Sequence, residues 1–189
     1  MFKLFAKVTD EELMVEIQQG KVSAFDELYK RYNGKMMSYF TRMLNYDRDK
    51  AEDALQDLFL KIIEKNKLYN PQYSFHSWVY KVATNICKNQ YRQNEIHETA
   101  VGALEYTGTL SYAFFDDISD KMNLKEFNVA LKDNLNELPY DKKATFLLRY
   151  EEDMTVPEIA EVLGCSEGTI KSRLHYTLKI LAEKLVEYK

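Results

Sequence analysis

The sequence predicts an all-α fold built as two small helical domains, and three observations carry that reading. Breakers are scarce, with 6 Gly and 3 Pro in 189 residues, so long stretches run without the punctuation of an all-β chain. Apolar residues recur at helical spacing over most of the chain. Two capping boxes, Thr9 with Glu12 and Thr155 with Glu158, open helical patterns near either end.

Thr9 caps a short helix that stops by Gly20. Ser23 is the expected cap of the next. There Phe25, Leu28, Tyr32, Met36, Tyr39, Phe40 and Met43 share one side as far as about Leu44, and Asn33-Gly34 marks an expected kink. A third helix starts near Asp47, with Ala51, Ala54, Leu55, Leu58 and Ile62 on its inner face. The fourth runs from about Ser74 to Arg92 on Phe75, Trp78, Val79, Val82, Ala83 and Ile86. Residues 94–122 lose the 3.6 period and mix Gly, Thr, Ser and acidic residues, which reads as a linker between domains 1–93 and 123–189. Shorter helices are expected near 123–136, 140–151, 155–163 and 167–187.

The last two form a helix-turn-helix. Pro157 sits in a first turn where its missing amide costs nothing, Gly164 suits a left-handed C′ position, and Ser166 caps the second helix, whose buried side is Ile170, Leu174, Leu178, Leu181 and Leu185. Its outer face carries Ser172, His175 and Lys179, with Gly168, Lys171 and Tyr176 alongside. A helix of that width fits the major groove, where Ser and His read base edges and Lys171 and Arg173 suit phosphates; the same residues also fit a merely solvated amphipathic face.

Two further faces stand out. Opposite the apolar stripe of the fourth helix lie Lys81, Asn85, Lys88, Asn89 and Arg92, flanked by Tyr80 and Tyr91 and preceded by Tyr73. Cations beside amides and rings suit nucleic acid, since charge follows phosphates while rings and amides engage bases. On the third helix Asp53, Gln56, Asp57, Leu60 and Glu64 make an acidic stripe, either solvated surface or, given Leu60 in its midst, a protein-binding face. Overall acidity, formally -4, hides this segregation: six Lys/Arg face one Asp/Glu between 61 and 93, but six face fifteen between 94 and 163.

"AFDELYKRY", "AEDALQDLFLKI", "SFHSWVYKVATNICKNQYR" and "EIAEVLGCSEGTIKSRLHY", in that order, resemble the successive blocks of the sigma-70 family of bacterial RNA polymerase initiation factors, in its extracytoplasmic-function (ECF) group. The resemblance covers nearly the whole chain. It implies sigma domain 2, sigma domain 4 with the helix-turn-helix, and the function of binding core RNA polymerase and starting transcription at specific promoters. By that resemblance Asp53, Gln56, Asp57, Phe59 and Leu60 face the clamp helices of the β′ subunit. Tyr73, Lys81, Asn85, Lys88, Asn89 and Arg92 recognise and melt the −10 element, and Lys171, Ser172, Arg173, His175, Tyr176 and Lys179 read the −35 element. The family's domain 4 also docks on the β flap, and an anti-sigma factor is an implied partner. The chain departs from the family's habit at Tyr73, where Gly commonly precedes Ser-Phe, and at Tyr176, where many members have Arg. The acidic linker, through Glu95, Glu98, Asp116, Asp117 and Asp120, is expected to lie in the polymerase's nucleic-acid channel.

No catalytic group, metal or cofactor is expected: His76, His97 and His175 are scattered, no inward Glu-x-x-His pair exists, and Cys87 and Cys165 lack metal-ligand or disulfide spacing, so both are expected in a core. No stretch suits a bilayer span and the N-terminus lacks a signal-peptide pattern, which points to the cytoplasm. The rival reading is a self-sufficient helix-turn-helix regulator that binds a palindromic operator as a dimer.

Overall fold

A computed structural model describes residues 8–94 and 124–186. The chain divides into two compact units, Met1–Ile96 and His97–Lys189. Among the described residues all regular structure is helical: α1 (Asp10–Gln18), α2 (Val22–Met43), α3 (Arg48–Glu64), a 3-10 turn (Asn66–Leu68) and α4 (Phe75–Asn94) in the first unit. The second holds α5 (Leu124–Asn136), α6 (Tyr140–Tyr150), α7 (Val156–Leu163) and α8 (Glu167–Val186). The expected linker, with the five acidic residues named above, lies outside the described residues apart from Asn94, which ends α4.

In the first unit the Thr9–Glu12 capping box forms in both directions, with the Thr9 amide donating to Glu12 Oε2 over 2.8 Å and the Glu12 amide to Thr9 Oγ1 over 3.1 Å. Two expectations for α2 are corrected. Ser23 does not cap it; Lys21 holds the N-cap position with no side-chain bond, and the helix is already under way at Val22. Nor does Asn33-Gly34 interrupt it, because Tyr32, Met36, Tyr39 and Phe40 are buried on either side and their packing outweighs the roughly 1 kcal/mol that Gly costs within a helix. The break falls at Asn45 and Tyr46, both left-handed (φ 56° and 62°), where the Tyr46 amide donates back to the Thr41 carbonyl over 2.7 Å. Asp47 then caps α3 through the Lys50 amide. The core is aromatic: Tyr39 meets Tyr80 edge-on at 5.3 Å, and Phe75 lies against Tyr32, Tyr69 and Trp78.

In the second unit α7 opens on the Thr155–Glu158 capping box with Pro157 in its first turn. It ends on Gly164, whose left-handed backbone (φ 65°, ψ 40°) is one that a side chain would strain. Ser166 Oγ accepts the Thr169 amide over 3.1 Å and so starts α8. Ile170, Leu174, Leu178, Leu181 and Leu185 are buried as expected, joined by Ala144, Leu147 and Leu148 of α6 and Ile159 of α7. Lys143 is buried as well, its Nζ donating to Asn136 Oδ1 over 2.9 Å. Cys87 is a core residue, but Cys165 is only half-buried, because it sits in the turn between α7 and α8 rather than on an inner face.

Candidate polymerase and nucleic-acid interfaces

On α3, Asp53, Gln56, Asp57 and Leu60 lie together on the outer face, and Leu60 is 55% exposed. Asp57 makes only a loose surface pair with Lys61 at 3.9 Å. Phe59 departs from this set. It is 6% exposed and turned toward α2, with Tyr29 at 4.5 Å and Phe25 at 6.0 Å between ring centroids. The 100° step of the helix explains the difference, since Phe59 follows Leu58 on the inner side while Leu60 has already turned out. Ile63 (47% exposed) and Tyr29 (41%) extend the apolar part of the surface. Sequence reasoning missed both. The available signal was Ile63 at i+3 from Leu60, on the stripe of Gln56 rather than that of the buried Ala51, Leu58 and Ile62.

On α4, Lys81, Asn85, Lys88, Asn89 and Arg92 are all exposed and form one stripe. The two flanking rings do not join it. Tyr80 is fully buried against Tyr39, and the Tyr91 hydroxyl donates to the Met43 carbonyl over 2.8 Å, tying α4 to the end of α2. Phe75 is core and Trp78 half-buried beside it. Tyr73 is 60% exposed, on the segment that leads into α4, with its backbone fixed: its amide donates to the Asn70 carbonyl over 3.0 Å and its carbonyl accepts the Tyr69 hydroxyl over 2.6 Å.

On α8, Lys171 and Lys179 are exposed and Ser172, His175 and Tyr176 half-buried along the same side, with the His175 and Tyr176 rings 5.4 Å apart. Arg173 is engaged within the unit. Its Nη2 donates to Asp141 Oδ2 on α6 over 2.6 Å, Nη1 approaches Cys165 Sγ at 3.7 Å, and its side chain is 23% exposed. Arg173 thus braces the helix-turn-helix from within. Replacing Lys171 or Lys179 by Ala is expected to lower duplex affinity and reduce the salt slope by about one each, whereas Arg173→Ala leaves the slope in place and costs about 1 kcal/mol of stability. Fluorescence anisotropy across a salt series, paired with thermal melts, separates the two effects.

A sigma-70 region 2 family model matches residues 28–95, and a sigma-70 region 4 model matches residues 128–181. The two matches together span more than half of the chain and fall on the α2–α4 bundle and on the helix-turn-helix unit. The chain belongs to the sigma-70 family. Its curated relatives place it in the ECF group: it is 28% identical to the ECF RNA polymerase sigma-E factor of Haemophilus influenzae over 184 residues, which is 95% of this chain and 96% of that protein. It is 26% identical to the sigma-E factor of Escherichia coli over the same length, 95% of each, and 26% identical to the RNA polymerase sigma-H factor of Pseudomonas aeruginosa, over 87% of this chain and 88% of that one. Among solved structures the fold is similar to that of CnrH in complex with the cytosolic domain of CnrY (TM-score 0.69, 19% identity, 95% of this chain and 99% of that one). It is also similar to the sigma factor RpoE of Bartonella quintana in complex with the anti-sigma factor NepR (TM-score 0.63, 21% identity, 86% and 96%).

This ECF sigma factor therefore acts in transcription initiation, as a DNA-binding partner of RNA polymerase. A self-sufficient operator-binding regulator is not favoured, since the family matches cover both units and a lone helix-turn-helix would account for the second alone. Among the described residues no group of His, Cys, Asp and Glu is arranged to hold a metal ion, and no helix is long and apolar enough to cross a membrane.

Proposed function

We propose a division of labour among the three surfaces. The α3 face, through Asp53, Gln56, Asp57 and Leu60 with Ile63 and Tyr29 beside them, docks on the β′ clamp helices of core polymerase, Phe59 holding that face up from beneath. The α4 stripe and Tyr73 capture the unstacked −10 strand. The outer side of α8, through Lys171, Ser172, His175, Tyr176 and Lys179, reads duplex −35 DNA, and the second unit docks on the β flap. The protein adds no reacting group; its work is differential binding. Unstacking a base costs a few kcal/mol, and stacking on an exposed ring such as Tyr73, worth about 1–3 kcal/mol per base, offsets it.

The observation that supports this most is the pairing of an exposed apolar and acidic face on α3 with an exposed cationic stripe on α4 of the same small unit. One face suits a protein partner depleted of water, the other a polyanion. CnrH and the Bartonella RpoE were each solved with a bound chain, the latter an anti-sigma factor, and the same kind of partner is proposed to cover these faces when the protein is idle. The proposed place of action is the cytoplasm.

Transcription of genomic fragments by purified core polymerase, with and without the protein, tests the reading. Defined start sites that require both components are expected. Tight binding to a symmetric site without polymerase, and no new start sites with it, would refute it.

A further inference from the structure

Helix α1 lies outside all three surfaces, and two of its polar side chains, Gln18 and Glu11, reach the same segment. Gln18 and Glu11 are seven residues apart, two helical turns, which puts them on one stripe about 10 Å apart. Gln18 Nε2 donates to the carbonyls of Asn66 (2.7 Å) and Tyr69 (2.9 Å), where the segment 66–75 begins. Glu11 Oε1 accepts the amide of Phe75 (2.9 Å), where that segment ends and α4 starts. That amide is one of the donors a helix N-terminus leaves without an internal partner, and a carboxylate there also meets the positive end of the helix dipole. Between these grips, Asn70 Oδ1 accepts the Gln72 amide (3.0 Å), and both backbone polar groups of Tyr73 are bound by Asn70 and Tyr69. Burial, with Glu11 and Asp10 nearby, pushes the Tyr69 phenol up to about 12, and its hydroxyl donates to the Tyr73 carbonyl.

The clasp is itself anchored. Leu13, Met14 and Ile17 are buried, and Asp10 accepts from Arg31 Nη1 (2.7 Å) and the Tyr32 hydroxyl (2.6 Å) on α2. We propose that α1 is a positioning clasp, in which Gln18 and Glu11 hold the two ends of segment 66–75 so that the exposed Tyr73 ring is preorganised to capture an unstacked promoter base. The inference rests on the −10 role proposed for Tyr73. Its physical basis is entropy: ordering a loop at the moment of binding subtracts from affinity, and a loop already ordered avoids that cost.

The test uses the full chain with core polymerase and a premelted bubble whose −10 sequence comes from a start site mapped as above. Gln18→Ala, which removes two hydrogen bonds, and Glu11→Ala, which removes one, are each expected to weaken bubble capture about tenfold or more, the scale of a lost hydrogen bond to a fixed partner, while core affinity stays within about twofold. Glu11→Gln keeps an acceptor oxygen and should recover most of the loss. Added to Tyr73→Ala, neither α1 change should cost anything more, because the clasp acts through that ring. If Tyr73→Ala weakens capture while the α1 variants do not, or if their losses add fully to that of Tyr73→Ala, the clasp is refuted and the role of Tyr73 stands. If Tyr73→Ala is itself without effect, both ideas fall. A parallel drop in core binding would reduce α1 to general support for the unit and also overturn the proposal.

Discussion

The Leu60→Arg protein is expected to bind core polymerase about a hundredfold more weakly than the natural chain, since loss of an anchor at the centre of the proposed α3 interface is worth about 2–4 kcal/mol. Its thermal midpoint should stay unchanged, because Leu60 is 55% exposed and a surface substitution of this kind stays within about 0.5 kcal/mol. Desolvation makes the expected effect large. Leu60 projects between acidic neighbours from a helix that is braced underneath by the Phe25, Tyr29 and Phe59 rings, so a guanidinium there replaces the apolar contact, pairs with Asp57 or Glu64 and masks their charge, and must be desolvated or hold the partner away. Reversing Asp53 or Asp57 instead acts through long-range charge and weakens binding by a smaller, salt-dependent factor. Competition between variant and natural protein for a limiting amount of core polymerase measures both. Equal competition by the Leu60→Arg protein would remove the α3 face from the interface.

Phe75→Ala gives the largest expected loss of stability, about 3–5 kcal/mol in the first unit, since its ring is fully buried and packs against Tyr32, Tyr69 and Trp78. A unit of this size has a total stability on the order of 5–15 kcal/mol, so such a loss removes about a fifth of it or more. Phe75→Leu keeps most of the volume and should cost about 1 kcal/mol. Urea unfolding followed by circular dichroism reads the shift, and Trp78, the one tryptophan of the chain, offers a second signal from the same cluster. Because Phe75 also receives the Glu11 grip through its amide, Phe75→Leu separates ring packing from loop placement: the backbone bond survives, and bubble capture should survive with it.

Local chemistry made much of this legible. The capping boxes at Thr9 and Thr155, the left-handed Gly164 and the Ser166 cap each depend on residues within four positions of one another, so composition and spacing suffice. The same holds for the outer stripe of α4, where Lys81, Asn85, Lys88, Asn89 and Arg92 follow helical period. Where two local signals conflict, as at Asn33-Gly34 within α2, periodicity alone leaves the matter open, and burial of the flanking apolar residues resolves it.

By itself the sequence determined the helical class, the element boundaries to within two or three residues, the helix-turn-helix and the polarity of each face, all consequences of 3.6-residue periodicity and terminal chemistry. Only tertiary structure decided which members of those faces point away from solvent. Tyr80 turns into the core to meet Tyr39, Phe59 lies beneath Leu60 instead of accompanying it, and Arg173 pairs with Asp141, 32 residues earlier. The grips of Gln18 and Glu11 on residues 48 to 64 positions away belong to the same class. Such bonds exist only after distant segments have packed, and their energy depends on a geometry that no local pattern encodes.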